Sequence, residues 1–300
     1  MLRLKQPLWR RIRNGSQVMK NWLVDRTSFH GQFTLLLTND PDHGKAEDYV
    51  RVFTELKRLG LKVTTSVFCT MEDDGSDLAR HCYRGDTHTL ADPRYRELML
   101  ELQEQGHEIA FHGYSQVSNT REKFMEGLEI FKETFGYYPF TYIEHGGNPN
   151  KHGPDMCKQE TLAMEGTKRD SPYYVLDIIK EKISCVWAWH DLMDNDYQVK
   201  QVEDLFYKRN GVLFFRRARL HYLDTMVRDV AQQGGIFLGY THFGYEGYPN
   251  EPKYRYENWV GRNLRPALQG FERILKNHKV TTLTVQELVQ TNFELSEGEG

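Results

Sequence analysis

Two aspartates and a series of histidines sit where this sequence leaves its apolar runs. Asp40 and Asp42 follow Leu35–Leu37 in LLLTNDPDHGK (35–45), His112 is next to last in EIAFHG, His145 ends TYIEH, His190 ends CVWAWH and His242 closes GYTH. Imidazole and carboxylate together hold divalent transition metals at neutral pH. A hydrolytic centre of that kind uses three protein donors and keeps a position for water, which leaves surplus acids and histidines to move protons. Two carboxylates two residues apart do not both suit one face of an ion, so one of Asp40 and Asp42 is expected to bind and the other to accept a proton. Each motif also has a plainer use. Asp-Pro and Asp-His-Gly make turns, Asp42 can cap the helix that opens near Ala46, and a histidine at a strand end can be a satisfied buried side chain. Recurrence of the same residue types at the same kind of position favours the metal.

Bringing such residues together requires strands that end on one face. Apolar runs predict strands over 33–39, 62–69, 107–113, 140–146, 174–179, 183–190, 211–218, 235–243 and 279–285. Between them, AEDYVRVFTELKRLG, PRYRELMLELQEQG, TREKFMEGLEIFKETFG and LHYLDTMVRDVAQQGG repeat apolar residues at i, i+3, i+4 and i+7 and stop at glycine, as helices do. Strand–helix alternation predicts an α/β fold, a (β/α) barrel in preference to an open doubly wound sheet. The functional face is then the C-terminal end of the strands. A basic N-terminal arm is expected over 1–30, one barrel domain over 31–292 and an acidic tail over 293–300.

Composition narrows the function. With 300 residues, 39% of them hydrophobic, the chain can bury a large core. A net charge of -3 gives no global basic field for nucleic acid. Cys69, Cys82, Cys157 and Cys185 form no C-x-x-C pair, which disfavours a zinc ribbon and suggests reduced thiols. The first residues lack the roughly 7–15-residue apolar core of a signal peptide, and no window reaches the about 18 apolar residues of a membrane span. A cytoplasmic protein is the expectation.

In order, TNDPDHG (38–44), GHEIAFHGYSQ (106–116) and IFLGYTH (236–242), followed by VTTLTVQEL (280–288), resemble the motifs of the polysaccharide deacetylase family, the NodB-homology deacetylases. The resemblance implies a distorted (β/α) barrel that removes an acetyl group from an N-acetylated sugar with one divalent metal. Zinc is the first choice, with cobalt, manganese, nickel or iron as alternatives. It assigns Asp40 as general base, Asp42 and His112 as metal ligands, and His242 as the acid that protonates the leaving amine. Gln116 stands where the family has its second metal histidine, so either Gln116 ligates or His145 supplies the third donor. The family's arginine motif is replaced by EHGGNPN, which leaves Arg216 or Arg217 as partner for Asp40.

Substrate contacts are expected from Glu144, from main-chain N–H groups at Gly146 and Gly147, from Arg216, and from Tyr245 among the aromatic residues that follow His242. A nucleotide- or lipid-linked sugar used in surface polysaccharide biosynthesis fits a cytoplasmic enzyme, with Arg216, Arg217 and Arg219 available to a diphosphate. The alternative, motivated by Gln116, is a non-catalytic carbohydrate-binding protein on a deacetylase scaffold. An amidohydrolase barrel is disfavoured because TNDPDHG lacks the H-x-H of that group.

Overall fold

FTLLLTN, with Leu35–Leu37 at its centre, forms the central strand β1 (Phe33–Asn39), buried along its whole length. A strand covered on both faces reads as a continuous apolar run, which is why it was legible. The computed structural model describes residues 33–82, 87–146, 156–188, 205–224, 227, 234–244, 259 and 264–292. The predicted arm, the acidic tail, His190, Gly147 and Tyr245 lie outside these residues.

Parallel strands β2 (Val63–Phe68), β3 (Glu108–Gly113), β4 (Thr141–Ile143) and β5 (Cys185–Trp187) extend the sheet from β1 in that order. Beyond β5 lies β7 (Val212–Phe215), which carries an antiparallel edge strand, β6 (Phe206–Arg209). On its other side β1 pairs in parallel with β9 (Gly235–Thr241), and β9 pairs with the two-residue β8 (Ala218–Arg219). A last strand, β10 (Val280–Thr282), pairs with the first half of β1, while β2 takes the second half.

Strands β7 and β8 stand at opposite ends of the parallel ladder, yet they are successive pieces of one run of chain, Val212–Arg219, interrupted only by Arg216 and Arg217. Its first piece pairs with β5 and its second with β9. Covalent continuity thus joins the two ends of the parallel sheet, and the architecture is a distorted (β/α) barrel as expected.

Helices α1 (Ala46–Arg58), α2 (Asp77–Cys82), α3 (Pro93–Glu104) and α4 (Arg121–Phe135) follow the first three strands. Residues at helical spacing bury their inner faces: Tyr49, Val52, Phe53 and Leu56 on α1, and Phe124, Leu128, Phe131 and Phe135 on α4. Helix α3 starts where Asp92 accepts the N–H groups of Arg94 and Tyr95 and proline occupies its first turn. Three more helices complete the described residues: α5 (Leu176–Lys182), α6 (Leu264–Asn277) and α7 (Val285–Asn292).

Some predicted elements are corrected. The strand expected over 174–179 is the turn before α5 and its first residues; YVLDII is too short for periodicity to choose, and burial of Ile178 and Ile179 is met by a helix face. Strand β6 was not foreseen, nor was helix α6. LHYLDTMVRDVAQQGG opens with a 3-10 turn, Leu220–Tyr222, and half of it lies outside the described residues. No helix among the described residues is long and apolar enough to cross a membrane.

Candidate metal centre

Strand β1 ends at Asn39, and the chain turns immediately: Gly44 N–H bonds back to Pro41 C=O at 2.9 Å, and His43 holds a left-handed φ of 59°. This turn sets Asp40 and Asp42 above the sheet. Next to it the chain leaving β9 presents His242. The two loops touch backbone to backbone at Gly244, where a Cβ would lie 2.2 Å from His43 O. Only glycine allows that approach, and it brings His242 Nε2 to 3.4 Å from Asp42 Oδ2 and 3.9 Å from Asp40 Oδ2.

From the neighbouring strands come two further imidazoles. His112 lies within β3, and His145 follows the short β4. Their Nε2 and Nδ1 atoms are 3.2 Å apart, and His145 Nδ1 is 3.4 Å from Asp42 Oδ1. The Phe68 ring braces both edge-on, with centroids 4.8 Å from His112 and 5.0 Å from His145. Among the described residues, Asp42, His112 and His145 form a group whose donor atoms all lie within 4.8 Å of one another.

The donor set fits a divalent ion. Ligand atoms about 2.0–2.2 Å from a tetrahedral or octahedral metal stand roughly 3.0–3.6 Å apart, the range of the His112–His145 and His145–Asp42 separations. Asp42 Oδ1 is buried and accepts no hydrogen bond from the described residues, an arrangement that costs free energy unless a cation or donor meets it. Burial drives His112 well below the ordinary imidazole range, with His145 adding to the effect. Burial likewise pushes His145 down to about 4, against the opposing pull of Asp42. Both are neutral at pH 7, the state that ligates. Burial would raise Asp42, but His145, His242 and His112 outweigh it and hold the carboxyl well below its usual range.

Asp40 has a different environment. Its two oxygens receive both terminal nitrogens of Arg217 at 2.5 Å, a bidentate pair buried in the barrel. The guanidinium stacks between Trp187 of β5, 3.7 Å from the ring centroid, and Tyr240 of β9, at 4.4 Å. Arg217 thus stands at the join between the two ends of the sheet. Main chain adds a tether, Asp40 N–H to Thr241 C=O at 3.0 Å.

Several predicted site residues are elsewhere. Gln116 spends its amide on the main chain of Glu72, donating to the carbonyl and accepting the N–H at 3.0 Å, and it does not join the donor group. Glu144 is fully buried and accepts Leu162 N–H at 2.7 Å, so it holds a loop instead of facing a cleft. Gly146 forms an isolated antiparallel bridge with Cys157. Arg216 lies over the Tyr207 ring at 4.9 Å, on the side of the strand away from Asp40. Trp259, one of the aromatic residues after His242 from which a sugar contact was expected, is buried and donates from Nε1 to Thr241 Oγ1 at 3.1 Å.

Sequence reasoning missed Asn39, Ser66 and Phe68, polar or aromatic positions inside apolar strands that carry no motif.

No family model matches the chain, and no curated protein matches it. Among solved structures it is similar to Puue allantoinase, with 13% identity, a TM-score of 0.49, and coverage of 91% of this chain and 97% of that one. A probable polysaccharide deacetylase from Pseudomonas aeruginosa PAO1 gives 12% identity and a TM-score of 0.49, covering 89% of this chain and 91% of the other. A family 4 acetyl xylan esterase from Clostridium thermocellum, in complex with a cobalt ion, gives 15% identity and a TM-score of 0.41, covering 86% and 91%. Likeness at this level transfers no activity, so the chemistry rests on the site.

Proposed function

We propose that the chain is a divergent enzyme of the polysaccharide deacetylase kind, a hydrolase that removes an acetyl group from an N-acetylated sugar with one divalent metal. The observation that carries this reading is the convergence of Asp42, His112 and His145 beside an Arg217-bound Asp40 and the partly exposed His242.

Asp42, His112 and His145 would hold the ion, with zinc favoured by a set of two imidazoles and one carboxylate. When bound, a divalent ion polarises an acyl oxygen and makes a water acidic enough to attack near neutral pH. Asp40 would take that water's proton, with Arg217, which donates to both of its oxygens, keeping the carboxylate oriented. His242, at one-fifth exposure, would give a proton to the departing nitrogen as the C–N bond breaks. Water's oxygen ends on the acetate, and the amine leaves with the proton from His242.

A non-catalytic sugar binder was suggested by Gln116 alone; with Gln116 engaged by Glu72 and His145 available as donor, that motive weakens. The substrate proposed is a nucleotide- or lipid-linked N-acetylated sugar of surface polysaccharide assembly, handled in the cytoplasm. Metal analysis of protein purified without chelators should find about one divalent ion per chain. Acetate should be released from N-acetylated sugars, and nucleotide-linked, lipid-linked and free forms compared side by side would identify the substrate. An absence of bound metal together with no rescue by zinc, cobalt or manganese would overturn the enzyme.

A further inference from the structure

His112 can bind an ion through Nε2 only if the proton of its neutral ring sits on Nδ1. That nitrogen lies 3.2 Å from Ser66 Oγ in β2, and Ser66 Oγ lies 3.1 Å from the main-chain oxygen of Asn39 at the end of β1. A carbonyl oxygen can only accept, so the Ser66 hydroxyl proton points to Asn39. The Ser66 lone pair is then left for His112, which must donate from Nδ1. Three consecutive groups therefore fix one tautomer and leave the Nε2 lone pair directed towards His145 Nδ1 and the donor group.

Asn39 ties this chain of bonds to the rest of the site. Its amide nitrogen donates to Tyr49 Oη at 2.9 Å and Thr65 Oγ1 at 2.8 Å, and its Oδ1 accepts the N–H of Phe243, the residue after His242, at 2.7 Å. All four groups are buried. One side chain thus fastens the strand end that carries Asp40 to β2, to α1 and to the His242 loop.

We propose that Ser66 and Asn39 are positioning residues: Ser66 sets the tautomer and ring orientation of His112, and Asn39 locks that orientation to Asp40 and His242. This rests on the proposed metal centre, but part of its test does not. In metal-free protein at pH 7.5, nitrogen-15 NMR of the imidazole should show His112 protonated on Nδ1. Ser66→Ala should shift it to the Nε2–H form or a mixture, and Ser66→Thr, which retains the hydroxyl, should restore Nδ1–H. Measured with zinc or cobalt, affinity should fall about 10- to 100-fold in Ser66→Ala and recover in Ser66→Thr, with little change in melting temperature. Asn39→Leu should weaken affinity and lower kcat together; if it fails to fold, Ser66 still decides the matter. An unchanged tautomer in Ser66→Ala would overturn the inference. If wild type binds neither ion, the metal function fails separately, because the tautomer is read without metal.

Discussion

Asp40 and Asp42 are two residues apart, and the roles proposed for them are separable. Asp40→Asn keeps shape but cannot take a proton, so kcat should fall by about 10²- to 10⁴-fold while metal content stays at the wild-type level. Asp42→Asn should instead release the ion, read by metal analysis after desalting. Gln116→Ala tests the third donor: metal affinity should stay within a few-fold of wild type because His145 fills that place, whereas His145→Ala should lose the ion. A fall in affinity only in Gln116→Ala would reverse this assignment. Asp40, Asp42, His112 and His242 were legible because each follows an apolar run and falls in a recognisable order. His145 and Gln116 were both open, since sequence gives spacing along the chain and not across strands. Arg216 and Arg217 were likewise both open as partner for Asp40, for a related reason. Neighbours in extended chain face opposite ways, and only the register says which one is inside.

At the level of elements, the loop after β3 is held by a buried lysine. Lys158 Nζ donates to Ser115 C=O at 2.6 Å and Asn119 Oδ1 at 3.0 Å, and pairs with Glu160 at 2.8 Å; both charged side chains are fully buried. Gly113, next to His112, makes room for it: its φ is +129°, and a Cβ there would lie 2.6 Å from Nζ. Lys158→Met strands the Glu160 charge and should cost about 3–5 kcal/mol, measured by urea unfolding. Adding Glu160→Leu should recover much of the loss, since the cost lies in an uncompensated charge. Most strands, though not β6, were readable as apolar runs, and α1, α3 and α4 from their periodicity. This clasp was not, because KQETL (158–162) looks like any polar loop until folding buries it.

For the whole molecule, burial also pushes His107 down to about 4, matching His145. In unfolded chain both imidazoles begin to bind protons near pH 6.5, whereas the folded protein resists until about 4. The unfolded state therefore holds more protons in that window, and stability must drop as pH falls through it, by up to about 1.4 kcal/mol for each unit of separation at each site. Metal-free protein should show a melting temperature that is flat from pH 8 to 7 and declines steadily from 6.5 to 4.5. His107→Gln should flatten part of that decline. A profile unchanged down to pH 4.5 would show that neither histidine is held neutral.

The two ends of the parallel sheet are joined by one run of chain, and this bears on the order in which the molecule is made. Asp42, His112 and His145 all lie in the first half of the sequence. Arg217 and His242, which lie against Asp40 and Asp42, are in the second. Full pairing of β1 awaits β9, some 200 residues later, a separation that makes closure a late event in folding. A nascent chain therefore carries Asp42, His112 and His145 well before Arg217 and His242 are made, and the proposed hydrolysis would await the pairing of β9 with β1.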